Sequence, residues 1–103
     1  TKAIAYIDEN YMKQPGLESI SKAAGVSSQH LCRLFRQTLN CRPMEYITKR
    51  KIQAAKMLLA ETQKTIDQIA GETGFCDSSY FCKIFQRFES ITPSQFRSIE
   101  QAL

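Results

Sequence analysis

Glycine and proline are scarce in this sequence of 103 residues, with four and three copies respectively. Such scarcity of helix breakers is typical of a mostly helical protein. No segment approaches the roughly 20 apolar residues that a membrane-spanning helix needs, and no signal-peptide pattern opens the chain. An apolar share of 43% predicts one compact domain, or two very small ones, with a self-sufficient core. Because the first residue is Thr, we expect a piece of a longer protein.

Residues that hold metals or perform catalysis are equally sparse. The chain has one histidine, no C-x-x-C pair and no zinc-type spacing. Reduced cytosolic thiols at partly buried helix positions are therefore favoured over a metal site. The sequence also lacks the features typical of enzyme active sites: a nucleophile elbow, a phosphate-binding loop and a cluster of carboxylates. We predict a cytoplasmic protein that is not an enzyme and uses no metal or cofactor. The cysteines are Cys32, Cys41, Cys76 and Cys82.

Acidic residues are missing between Glu18 and Glu45, a stretch that contains four basic ones. Residues 1–59 carry ten Lys/Arg against four Asp/Glu, whereas residues 60–103 carry four against six. A one-sided basic field favours a polyanionic partner. An ordinary solvated surface is the alternative, since a net charge of +4 does not decide between them.

The chain contains one unit twice. Leu17, Ile20 and Gly25 recur as Ile66, Ile69 and Gly74. Ser27, Leu31, Cys32, Leu34, Phe35, Pro43 and Tyr46 recur as Asp77, Phe81, Cys82, Ile84, Phe85, Pro93 and Phe96, with one extra residue in the turn. Each unit is predicted to be a helix, a glycine turn at positive φ and a second, side-chain-capped helix. This is the helix-turn-helix motif.

Further helices complete an all-α fold of seven helices without a convincing strand. A leading helix ends before Pro15, and a long linker helix runs from Pro43 to about Leu59. Thr92 and Gln95 form a capping box that starts the final helix. We divide the chain into a first helix-turn-helix subdomain (1–42), a linker helix (43–61) and a second subdomain (62–103).

The second helix of each unit, here called the reading helix, has an inner apolar face and an outer polar face. The inner faces are Leu31, Leu34, Phe35 and Thr38, and Phe81, Ile84, Phe85 and Phe88. The outer faces are Gln29, Cys32, Arg33 and Arg36, and Ser79, Cys82, Lys83 and Gln86. Arg or Lys can donate to guanine, Gln can pair with adenine, and small residues can touch a thymine methyl group. The outer faces therefore favour reading of the DNA major groove.

Two alternatives concern the aromatic residues and the linker. The phenylalanines and Tyr80 could stack on bases, but their spacing favours core packing for all except Tyr80. A linker of about seventeen residues makes a rod of roughly 25 Å, near the ~34 Å between successive major grooves on one side of B-DNA. We expect the reading helices to enter successive grooves. Two roles are given equal weight for the basic side chains of the linker, contact with DNA phosphates and simple exposure to solvent. These residues are Lys49, Arg50, Lys51 and Lys56.

The stretch G-F-x-D-x-S-Y-F-x-x-x-F at 74–85, with T-P-x-x-F-R at 92–97, resembles the signature of the AraC/XylS family of bacterial transcription regulators. The stretch G-V-S-x-x-H-L-x-R-x-F at 25–35 is similar to its usual partner. The resemblance covers nearly the whole chain. It implies a seven-helix domain that binds double-stranded DNA sequence-specifically, mostly for activation, and contacts RNA polymerase. It also implies an N-terminal sensor or receiver domain.

The same resemblance implies the site residues. Base-reading positions fall on Gln29, Cys32 and Arg33, and on Ser78, Ser79, Cys82 and Lys83. Phosphate contacts fall on Ser27, His30, Arg36, Gln37 and Tyr80. The sequence departs from the family at Lys51, commonly Arg, and at Asn40 and Ser90, which stand where glycine usually follows each reading helix. Because Ser adopts the left-handed conformation less readily than Asn, we expect the second corner to differ. A helical module that binds an acidic protein partner is the alternative function.

Overall fold

The computed structural model describes residues 2–103, which form seven α-helices and one 3₁₀ turn, Tyr11–Lys13. The helices are α1 (Lys2–Asn10), α2 (Leu17–Ala24), α3 (Ser28–Leu39), α4 (Pro43–Glu61), α5 (Ile66–Glu72), α6 (Ser78–Glu89) and α7 (Pro93–Ala102). No strand occurs in this part of the chain, so the predicted all-α fold is confirmed. None of these helices is long and apolar enough to span a bilayer. Two compact units divide within α4, between Arg50 and Lys51.

The first unit packs α1, α2, α3 and the start of α4 around one apolar core. Leu31 and Phe35 are buried, as predicted for the inner face of α3. Leu34 and Thr38 were predicted to share that face, but both are exposed, Leu34 at 39%. The prediction was wrong there because the stripe of i, i+3, i+4 and i+7 positions is wider than the part of α3 that its neighbours cover. The core consists of Ala3, Ile7, Ile20, Leu31, Phe35 and Ile47.

Aromatic rings dominate the core of the second unit. The ring centroid of Phe81 lies 5.0 Å from that of Phe75 and 5.8 Å from that of Phe85, and Phe85 lies 5.6 Å from Phe96. Tilted and edge-on pairs at these distances add to the stabilisation from burial alone. Phe88 was predicted to point inward but is 37% exposed, so the prediction was wrong there. The core consists of Ile52, Ala55, Leu59, Ile69, Ala70, Phe75, Phe81, Ile84 and Phe85.

The predicted glycine turns are present in both units with the same hydrogen bonds. Gly25 has a φ of 74° and Gly74 has a φ of 89°, both in the left-handed region. The amide after each glycine donates to a carbonyl five residues back, as in a Schellman motif. These bonds join Val26 N to Ser21 O at 3.1 Å, and Phe75 N to Ala70 O at 2.9 Å. The repeat inferred from the sequence is therefore a repeat of backbone conformation.

The predicted caps start both reading helices. The Ser27 hydroxyl accepts the N–H of His30 at 3.1 Å, and the Asp77 carboxylate accepts the N–H of Tyr80 at 2.7 Å. These bonds satisfy an amide that the helix itself leaves without a partner. Cys76 is the extra residue of the second unit, because it lengthens the segment between Gly74 and the cap Asp77.

The corners that follow α3 and α6 have matching conformations. Asn40 has a φ of 54° and Ser90 has a φ of 68°, so both residues are left-handed. Their N–H groups donate to the carbonyls of Arg36 at 3.1 Å and Gln86 at 2.8 Å. The expectation that Ser90 makes the second corner different was wrong. The same closing hydrogen bond is formed, which helps to offset the cost of the conformation.

Two side chains of α7 close the carbonyl end of α4. Arg97 donates from Nε to the carbonyl of Leu59 and from Nη2 to that of Thr62, both at 3.2 Å. Gln101 Nε2 donates to the same two carbonyls, at 3.0 and 3.1 Å. The last carbonyls of a helix need such donors. The arginine of the T-P-x-x-F-R stretch therefore has a structural role in the second unit.

Arg97→Ala is expected to lower the free energy of unfolding by about 1 kcal/mol, because two charge-assisted hydrogen bonds of a half-buried side chain are lost. Urea titration followed by circular dichroism measures the change. Arg87→Ala is the control, because Arg87 is exposed on α6 and joins none of the three ion pairs formed among residues 2–103. Equal losses in the two variants would contradict the role given to Arg97.

Candidate nucleic-acid interface

The outer face of α3 is exposed and carries positive charge. Gln29, Cys32, Arg33 and Arg36 are all exposed, which confirms their predicted outward position. None of the ion pairs formed among residues 2–103 uses either arginine. Both guanidinium groups are thus available to an anionic or hydrogen-bond-accepting partner.

Further candidates surround the start and the outer side of α3. Ser27, His30 and Gln37 are exposed. The Ser27 hydroxyl oxygen accepts the helix N–H of His30, and its own proton can still be donated. The first turn of α3 therefore presents hydroxyl, imidazole and amide groups on a helix start, where partial positive charge favours anions.

A polar cavity of about 400 Å³ adjoins this face at the corner between α3 and α4. Its lining includes Arg36 and Arg42, and the Glu45 carboxylate accepts the N–H of Arg42 at 3.1 Å. Sequence reasoning counted Arg42 in the basic stretch but gave it no role. The absence of acidic residues over this stretch was a sign of a basic surface that includes Arg42. It did not indicate that the corner between α3 and α4 brings Arg42 beside Arg36.

The outer face of α6 carries less charge and is less exposed. Ser79 and Lys83 are exposed, and Tyr80 is 49% exposed, as its separation from the core phenylalanines predicts. Ser78 is half-buried in the first turn. The face therefore combines one cation, hydroxyl groups and one aromatic ring, and none of the ion pairs formed within residues 2–103 involves Lys83.

The position of Cys82 differs from the one that the repeat predicted. It was expected at the same outward position as Cys32, but Cys32 is exposed whereas Cys82 is half-buried against the second core. Burial raises the pKa of the Cys82 thiol, and the charge of Asp67 on α5 adds to the increase. The helix pairs α2–α3 and α5–α6 both pack together, so the repeat did not indicate this difference. Only part of the Cys82 side chain is available to a partner.

Thiol alkylation is expected to separate these cysteines. At neutral pH, iodoacetamide should modify Cys32 and Cys76 severalfold faster than Cys82, because both are exposed and burial disfavours the Cys82 thiolate. Timed alkylation followed by peptide mass spectrometry gives the three rates. In concentrated urea the rates should converge, and unequal rates there would assign the difference to local sequence rather than to the fold.

The basic residues of α4 make contacts that sequence reasoning did not foresee. Phosphate contact and solvation were weighed equally, but three of the four side chains bind within their own unit. The bonds join Arg50 Nε to Asp8 Oδ1 at 3.3 Å, Lys51 Nζ to the Gly74 carbonyl at 3.0 Å, and Lys56 Nζ to Glu89 Oε1 at 2.9 Å. Lys49 is exposed and joins none of the ion pairs described. These partners are distant in sequence, so helical spacing alone could not identify them.

Comparison with known proteins identifies related domains. A family model described as a helix-turn-helix domain matches residues 20–99. The chain is 33% identical over 95 residues to the lactose operon transcription activator of Staphylococcus xylosus, covering 92% of this chain and 34% of that protein. The chain spans about a third of the length of the curated relatives it matches.

Two solved structures resemble the chain along most of its length. One is the C-terminal domain of the two-component response regulator yesN from Fusobacterium nucleatum, with 30% identity, a TM-score of 0.85, and coverage of 92% of this chain and 93% of that chain. The other is a transcriptional regulator from Chromobacterium violaceum, described among AraC-type DNA-binding domain-containing proteins. It has 29% identity, a TM-score of 0.92, and coverage of 96% of this chain and 88% of that chain.

Proposed function

Because the chain belongs to the AraC type of the helix-turn-helix family, we propose that it binds double-stranded DNA sequence-specifically and regulates transcription. Activation is the proposed outcome, as the name of the Staphylococcus xylosus relative suggests. The observation that carries the proposal is the outer face of α3, which is exposed, basic and without an internal ion pair. Phosphates and base edges are ligands that such a face can bind.

In this proposal α3 lies in the major groove and supplies most of the electrostatic attraction. Arg33 donates to the acceptors of guanine, and Gln29 pairs with adenine. Cys32 touches a base edge or a thymine methyl group. The phosphate contacts come from Ser27, His30, Arg36 and Gln37. Because phosphate contacts fix the position of the helix, they support the readout by the base contacts.

The second reading helix enters the next major groove in the same proposal. Lys83 donates to a base acceptor, and Ser78 and Ser79 make short contacts with base edges near the helix start. Cys82 contributes the exposed part of its side chain, and Tyr80 contacts a phosphate. Since α6 carries fewer cations, we expect the first unit to hold the DNA more tightly.

The domain division and the partners are also part of the proposal. Residues 1–42 and 62–103 act as the two reading subdomains, and 43–61 act as the linker helix. The intact protein carries an N-terminal sensor or receiver domain, which the response-regulator relative suggests, and contacts RNA polymerase. Such a regulator works on the bacterial chromosome in the cytoplasm. We assign this chain a binding role rather than a catalytic one.

Selection from random duplexes, read by sequencing, tests the proposal. Wild-type protein should enrich two sequence blocks about 10 base pairs apart, because successive major grooves on one side of the duplex have that spacing. On the enriched duplex, log K should fall linearly with log salt, with a slope of about −0.9 for each neutralised phosphate. No enrichment, together with a flat salt dependence on an unselected duplex, would contradict DNA binding and favour an acidic protein partner.

A further inference from the structure

Lys51 lies at the start of the second unit and places its ammonium group against the turn that precedes α6. Its Nζ donates to the carbonyl of Gly74 at 3.0 Å and lies 5.3 Å from the centroid of the Phe75 ring. Burial lowers the pKa of Lys51, while the charge of Cys76 acts in the opposite direction. The cation has thus given up part of its hydration for a carbonyl and an aromatic face.

The turn held by Lys51 leads directly into the second reading helix. Phe75 is 6% exposed, and its ring centroid lies 5.0 Å from that of Phe81 and 6.2 Å from that of Tyr80. The N–H of Tyr80 is bound by the Asp77 carboxylate that caps α6. A continuous series of contacts therefore joins the Lys51 ammonium group to the first turn of α6.

The first unit is built differently at the equivalent turn. Val26 stands where the second unit has Phe75, so no aromatic face is available to a cation there. In the part of the chain that the structure describes, no side-chain donor binds the carbonyl of Gly25 as Lys51 binds that of Gly74. The contact is thus specific to the unit whose reading helix carries fewer cations and gains less from attraction alone.

We propose that Lys51 is a positioning residue for DNA reading by α6: it holds the Gly74–Phe75 turn and thereby fixes the direction in which the first turn of α6 meets the groove. The proposal rests on the proposed function. Lys51 uses its charge inside the unit, so its partner is the turn rather than a DNA phosphate. It acts on Ser78, Ser79 and Tyr80 through Phe75 and makes no base contact of its own.

The first experiment needs no DNA. Circular dichroism first checks that each variant is folded. Amide hydrogen exchange of Tyr80 and Phe81 is then measured by NMR in Lys51→Met, in Lys51→Arg and in the control Lys49→Met. Exchange should be about threefold to tenfold faster in Lys51→Met, the effect of one lost hydrogen bond. Lys51→Arg should restore wild-type exchange, because a guanidinium group can both donate and stack. Unchanged exchange in Lys51→Met would overturn the proposal.

The second experiment uses the duplex enriched by the wild-type protein. Lys51→Met should bind it about threefold to tenfold more weakly, with an unchanged salt slope. The difference should vanish when the half-site read by α6, located with Lys83→Ala, is scrambled. A salt slope reduced by about 1 would identify Lys51 as a phosphate contact instead and overturn the proposal. If the wild-type protein enriches no duplex, the proposed function fails, while the exchange data still decide whether Lys51 holds the turn.

Discussion

Phe81→Ala is expected to lower the free energy of unfolding by about 3–5 kcal/mol, the usual cost of truncating a fully buried phenylalanine. Phe81 has no exposed surface, and its ring contacts those of Phe75 and Phe85. Its truncation leaves a cavity between the ring of Phe75, in the turn before α6, and the ring of Phe85, on α6. Because small domains are stable by only about 5–15 kcal/mol, the loss is a large share of the total. Urea titration followed by circular dichroism measures it.

Phe88→Ala is the matched control on the same helix, because 37% of the Phe88 surface is already exposed. Its truncation removes less buried area and leaves no enclosed cavity, so we expect a loss of about 1 kcal/mol. The difference between the two losses of unfolding free energy measures how much burial contributes at a phenylalanine. Similar losses would mean that Phe88 is as much a core residue as its position in the i+7 stripe suggested.

The turns, caps and corners could be predicted because their causes are local. A glycine at positive φ, a capping serine or aspartate and a proline at the first helical position each act within a few residues. Two copies of the pattern in one chain made the assignment firm. The helix-turn-helix fold and the outward position of Arg33 followed from the same short-range rules.

The remaining errors concern neighbours that are distant in sequence. Helical spacing gives the direction of a side chain but not how far the adjacent helices extend over it. Leu34 is exposed because little covers it, and Cys82 is half-buried because it packs against the second core. Likewise, Arg97 and Lys51 bind carbonyls more than twenty residues away, and no local pattern indicates such a partner.

Arg33→Ala is expected to weaken binding to the enriched duplex by about 1–3 kcal/mol, equivalent to roughly 5-fold to 150-fold in the dissociation constant. Arg33 is exposed on α3 beside Gln29 and Cys32, without an acid that would compete for it. A bidentate contact with guanine is directional, so its loss should relax base preference at one position of the site. Fluorescence anisotropy gives the affinity, and a repeated selection gives the preference.

Arg87→Ala is the control for charge, because it removes one exposed arginine from α6 outside the proposed reading positions. It should leave base preference unchanged and weaken binding little. The salt series distinguishes the two possible partners of Arg33. A phosphate contact would weaken binding to all duplexes alike and reduce the salt slope by about 1. A base contact should instead act on one duplex sequence far more than on others, and an unaltered preference in Arg33→Ala would refute the base-reading role.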